Sequence, residues 1–230
     1  MARRFYKTAS VAGSGPFTVL LDERKLKTPR KQLLAVDTRR LANEIAREWQ
    51  RQGDVIDPSS MPATRIANTA IDRVKGRERE IVEEIVGFAN SDAICYRASS
   101  PPELLARQRE QWDPVLEWAA DRLRSRLVSV EGVMHRDQPP EALDAVRHHL
   151  LPMGPFRLCA LHNLTTLTGS TLLALAVSAR RLTPDEAWRA AHVDEDWQIE
   201  HWGRDTEAED RRNRRRREFD ETLAFLEHLA

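Results

Sequence analysis

The residues best suited to chemistry lie in one stretch, Asp194-Glu195-Asp196-Trp197-Gln198-Ile199-Glu200-His201-Trp202-Gly203. On a helix Asp196 and Glu200 stand one turn apart on one face, a spacing that could hold a metal or divide acid and base roles. With His201 and a distant histidine they would make a metal-dependent hydrolase, and this is the rival reading. Carboxylate-bridged di-iron sites, however, draw Glu-x-x-His from two helices, whereas Glu200 and His201 are consecutive and no second copy occurs. The adjacent His148 and His149 point about 100° apart on a helix and do not readily share an ion. Neither a catalytic residue nor a metal site is therefore expected. The stretch reads more simply as a solvated acidic face beside indoles. Trp197 and Trp202, with Ile199 between them, also have the composition of a protein-binding anchor. From 194 to 210 eight acidic residues stand against Arg204 alone.

Other chemistry is missing from the sequence. There is no G-x-x-x-x-G-K-[ST], no G-x-G-x-x-G, no G-x-S-x-G and no H-E-x-x-H. Arg211, Arg212 and Arg214 to Arg217 form a basic run that could grip nucleic acid, but no aromatic platform accompanies it and acidic residues flank it. A salt-bridged, solvated helix is the expectation. Over 230 residues Lys+Arg and Asp+Glu both total 36, so no bulk field draws the chain to nucleic acid or an anionic membrane. A hydrophobic fraction of 41% and a charged fraction of 31% suit a folded protein rather than a disordered one. Cys95 and Cys159 have apolar neighbours and read as buried free thiols in a reducing compartment. No apolar leader or Ser/Arg-rich presequence is seen, and no apolar run approaches the ~20 residues of a membrane span. A cytoplasmic protein without membrane insertion is expected.

Two kinds of element must position these residues. The first 36 residues read as strands: Phe5 to Ala12, Phe17 to Leu21, Lys25 to Pro29 and Leu33 to Val36, with turns at Gly13-Ser14-Gly15-Pro16 and Asp22-Glu23-Arg24. This part is basic, with ten Lys/Arg in residues 1–40. From Asp37 the period becomes helical. Asp37 or Thr38 caps a helix bearing Leu41, Ile45 and Trp49 on one face, so Trp49 has a sufficient explanation as core. Further stripes are Ile66–Val74 and Ile81–Phe88. Leu104 to Arg126 is helical, with Pro114 either opening a new helix or kinking a long one. Phe156 to Leu182 is apolar nearly all round and reads as one buried core helix. Thr183-Pro184-Asp185-Glu186 starts the next helix, and a last long helix ends in Phe219, Leu223 and Leu226. The fold class is α+β: a small, mainly β N-terminal domain, residues 1–60 or as far as about 75, and an all-helical C-terminal domain from 61 to 230.

Several strings follow one another in a distinctive order. They are Leu26-Lys27-Thr28-Pro29, the run Leu41 to Gln52, Ile56-Asp57-Pro58 and the run Met61 to Arg73. Cys95-Tyr96-Arg97, Gln111-Trp112-Asp113-Pro114, the run Leu164 to Ser170 and the 194–203 stretch complete the set. Together they resemble the chaperone family that attends the alpha subunit of the F₁ head of ATP synthase, the "ATP-twelve" assembly chaperones. The resemblance spans almost the whole chain. It departs at Gln50, where Asp is expected, and at Arg30, where a small residue is commoner.

The resemblance implies an ATP-independent role, with no enzyme activity and no cofactor. It implies binding to the free alpha subunit of F₁-ATPase until beta subunit takes its place. A bacterial, monomeric protein is implied, with Glu200 and Trp49 as the chief partner-binding residues and Asp196, Trp202 and Trp197 in support. Glu200 is expected to make a charged contact with the client, and Trp49 either a contact or part of a domain junction.

Overall fold

The computed structural model describes residues 2–132 and 134–230. Its contacts divide the chain into two compact units. The first comprises Met1–Glu78, Gly154–Ala160 and Asp220–Ala230; the second comprises Arg79–Met153 and Leu161–Phe219. The first unit thus runs past residues 60 and 75 and takes up two later segments that a cut at one point of the sequence does not include.

In the first unit the strands are β1 (Ala9–Ala12), β2 (Phe17–Leu21), β3 (Arg24–Lys25) and β4 (Ala35–Val36). Strand β2 is central and pairs antiparallel with β1, β3 and β4, Ala9 opposite Leu21 and Phe17 opposite Val36. The first strand is shorter than its alternating pattern predicts. Residues before it leave the sheet, where Arg3 bridges Val55 and the Arg4 amide donates to the Asp54 carbonyl. Val19, Leu21 and Val36 are buried, as are Leu41 and Ile45 of helix α1 (Arg39–Gln50), which packs against β1, β2 and β4. Thr38 caps α1 by accepting from the Leu41 amide at 3.2 Å. At the far end the Gln50 side chain, one of the two departures, accepts from the Ala9 amide at 2.7 Å.

Helix α2 (Pro62–Thr69) begins at a buried carboxylate. Glu48 accepts from the Ala63 and Thr64 amides at 2.7 and 2.8 Å and from the Thr64 hydroxyl at 2.6 Å. Burial pushes its carboxyl up, and the three donors pull it back. Helix α2 runs on through a wider turn at Ala70–Val74.

The second unit is helical. It holds α3 (Glu78–Asn90), α4 (Pro102–Trp118), α5 (Pro140–Leu150), the greater part of α6 (Pro155–Thr168), α7 (Thr171–Ser178), α8 (Pro184–Ala191) and α9 (Val193–Trp202), then α10 (Thr206–Glu227) as far as Phe219. A two-residue parallel pairing of β5 (Tyr96–Arg97) with β6 (Val130–Glu131) joins them. Pro114 lies inside α4, so the alternative in which it opens a new helix is not the one formed.

The single core helix expected over 156–182 is two helices. Gly169 adopts a left-handed φ of +68°, and Ser170 caps α7 by accepting from the Leu173 amide at 3.0 Å. The fully buried Asp92 also accepts from the Leu172 amide at 3.1 Å. Apolarity on every side cannot reveal such a break, because α6 and α7 are both buried and the pattern has no phase to lose. Thr183 caps α8 as expected, and Glu186 returns the bond to the Thr183 backbone to complete a capping box. Both cysteines are free and buried, and burial pushes the Cys159 thiol up to about 12. No helix among the described residues is long and apolar enough to cross a membrane. The architecture is α+β, strands first and helices after.

Candidate functional site

The 194–203 stretch is helix α9. Asp194, Glu195 and Asp196 occupy its first turn, where carboxylates suit the positive end of the helix dipole. Gly203, at φ +85°, ends it. Two neighbouring residues of α4 hold it in place. Gln108, buried, donates to Asp194 at 2.7 Å and accepts from the Ala98 amide at 2.8 Å. Arg107 donates both terminal nitrogens to the two oxygens of Glu200, each at 2.9 Å. The same guanidinium lies over the Trp197 ring, 5.3 Å from its centroid. This fork holds the Glu200 carboxyl below the usual carboxylate range.

Other polar groups of the helix are also engaged. Asp196 pairs with Arg212 of α10 at 2.5 Å, and Glu195 stands 3.9 Å from the same arginine. His201 donates its Nδ1 proton to the Trp197 carbonyl at 2.8 Å and stacks on the indole at 4.1 Å. Asp196, Glu200 and His201, the rival hydrolase set, are therefore each bound to a different neighbour. Among the described residues no group of three or more His, Cys, Asp or Glu side chains could hold a metal ion. Trp202 is different. It is 78% exposed, beside a cavity of about 460 Å³ between α9 and the start of α10.

Trp49 belongs to the first unit. It packs against Tyr6 with ring centroids 5.7 Å apart, and the Tyr6 hydroxyl donates to its carbonyl at 2.7 Å. Its indole is half-buried, and among the described residues the N–H has no acceptor. The arginine run is largely tied down within the second unit. Arg211 pairs with Glu207, Arg215 donates to the Leu167 carbonyl, and Arg216 pairs with Asp185 while lying over the buried Trp188. Sequence reasoning missed Arg107 and Gln108, and placed Arg212 in the salt-bridged basic run without its partner Asp196. Arg107 is 93 positions from its partner, beyond any local periodicity.

Residues 3–120, just over half of the chain, match the sequence profile of a family described as "ATP12 chaperone protein". The chain belongs to the ATP12 chaperone family. That match covers the first unit's strands and α1 to α4 but stops short of α9, which is reached by the likeness to solved structures. A candidate chaperone from Agrobacterium tumefaciens is 46% identical, with a TM-score of 0.94 over 99% of this chain and 86% of that one. Atp12 from Paracoccus denitrificans is 40% identical, with a TM-score of 0.95 over 100% and 99% of the two chains. A mutant of P. denitrificans Atp12p is 39% identical, with a TM-score of 0.95 over 100% and 98%. Sequence and fold thus place α9 and its α4 tether within an ATP12 chaperone.

Proposed function

We propose that this ATP12 chaperone binds the free alpha subunit of the F₁ part of ATP synthase, keeps it from aggregating and yields it to beta subunit, without using ATP or any cofactor. An unassembled subunit exposes apolar surface destined for its neighbours, and such surface aggregates. A chaperone that covers it and then gives way needs a few aromatic anchors inside a charged rim rather than a large dry interface. The observation that carries the reading is Trp202, a large indole left 78% exposed on a helix rich in carboxylates. Asp196, Trp197 and Glu200 support it from the same helix, and Trp49 is the residue proposed from the first unit. The protein acts as a monomer in the cytoplasm of a bacterium and neither binds nucleic acid nor enters the membrane.

The test is a pull-down with the tagged protein from a lysate in which alpha subunit is made without beta. Alpha should be retained at concentrations on the order of micromolar, equally with and without ATP, and should be released when beta subunit is added. Failure to retain alpha, or ATP-dependent retention, would overturn the proposal.

A further inference from the structure

We propose that the cavity between α9 and α10 takes a segment of the client carrying an apolar side chain beside a lysine or arginine. This rests on the client reading above and names the chemistry of what that surface receives.

At about 460 Å³ the cavity has the size of a site for a few side chains, not for a folded face. Its apolar lining is Trp202, Ile199 and Ala208. Its charged lining is four carboxylates, Glu195, Asp196, Asp205 and Glu209, against two guanidinium groups, Arg204 and Arg212. Both arginines are already satisfied within the protein: Arg204 pairs with Glu209 at 2.7 Å, and Arg212 with Asp196 at 2.5 Å. Asp205 caps α10 by accepting from the Ala208 amide at 2.7 Å. The lining is therefore negative overall, and no cation in it awaits an anionic visitor.

One further feature favours a cation: the exposed indole face of Trp202 attracts a cationic group placed over it. An apolar segment rimmed by carboxylates would meet like charge and be rejected.

The test uses the full chain and fluorescein-labelled 15-residue peptides tiling the alpha subunit, read by anisotropy, alongside the alpha pull-down. Peptides that bind should carry an aromatic or branched aliphatic residue within a few positions of Lys or Arg. Replacing that cation with Gln should weaken binding about tenfold. Trp202→Ala, at an exposed position, should keep its melting temperature and weaken both peptide and alpha binding at least about tenfold. Asp205→Asn keeps a good helix cap but removes a charge, so it should weaken the cationic peptides and flatten their salt dependence. If wild type retains alpha but Trp202→Ala retains it equally, the cavity proposal fails and the client reading survives. Binding confined to acidic or neutral peptides, or a cavity that serves only self-association, has the same consequence. Failure of wild type to retain alpha sinks the client reading itself.

Discussion

Glu200 is expected to touch the client, and both its oxygens accept from Arg107, with two bonds of 2.9 Å, while its side chain stays half exposed. A bidentate pair of this kind positions as well as attracts. It fixes the last turns of α9, and so the place from which Trp202 leaves the surface. A charge swap separates positioning from direct contact. Glu200→Lys and Arg107→Glu should each weaken retention of alpha subunit by setting like charges together. The double variant Arg107→Glu with Glu200→Arg should recover most of it. A Glu200 that touches the client directly would leave the double variant as defective as the Glu200→Lys protein. The type and spacing of Asp196 and Glu200 on one helix face were legible in the sequence. Their partners were not, because a guanidinium 93 positions away leaves no periodic trace.

Among the elements, the break between α6 and α7 carries the sharpest test. Gly169 sits at φ +68°, where an L side chain is strained, while a Cβ there would meet only the Ala93 Cβ at an ordinary 3.5 Å. Gly169→Ala should therefore destabilise the protein by about 1–2 kcal/mol through backbone conformation alone. Ser170→Ala should cost about 1 kcal/mol by removing the α7 cap. Urea denaturation followed by circular dichroism reads both. Were the segment one continuous helix, Gly169→Ala would instead stabilise by about 1 kcal/mol. Caps written in short-range chemistry, such as Thr38 on α1 and Thr183 with Glu186 on α8, could be read from the sequence. The carboxylates of Glu48 and Asp92 could not, since they act on helix starts 15 and 80 positions away.

For the molecule as a whole, equal numbers of acidic and basic residues leave pH dependence to individual buried groups. Asp92 is the clearest. Removal from water pushes its carboxyl up to about 6 from an ordinary 3.8, against the bonds from Ser170 and the Leu172 and Ile94 amides. A carboxyl raised in the folded state contributes stability that is fully present below the unfolded pKa and lost as pH rises through the folded one. This contribution, about 3 kcal/mol, should disappear between about pH 4 and pH 7. Measured in urea across that range, the stability of Asp92→Asn relative to wild type should rise with pH by a comparable amount. A difference that stays flat with pH would show that Asp92 is not the group responsible.

The sequence by itself determined the α+β order of strands and helices, the locally capped helix starts and the family, because these are written in periodicity, short-range hydrogen bonding and ordered strings. Only the tertiary structure decided which carboxylates are spoken for, where the buried apolar run breaks and which indole stands in solvent. Trp197 and Trp202 are the same residue type five positions apart on one helix. The first is covered by Arg107 and His201 and the second is left open, and that difference comes from what the folded chain brings alongside.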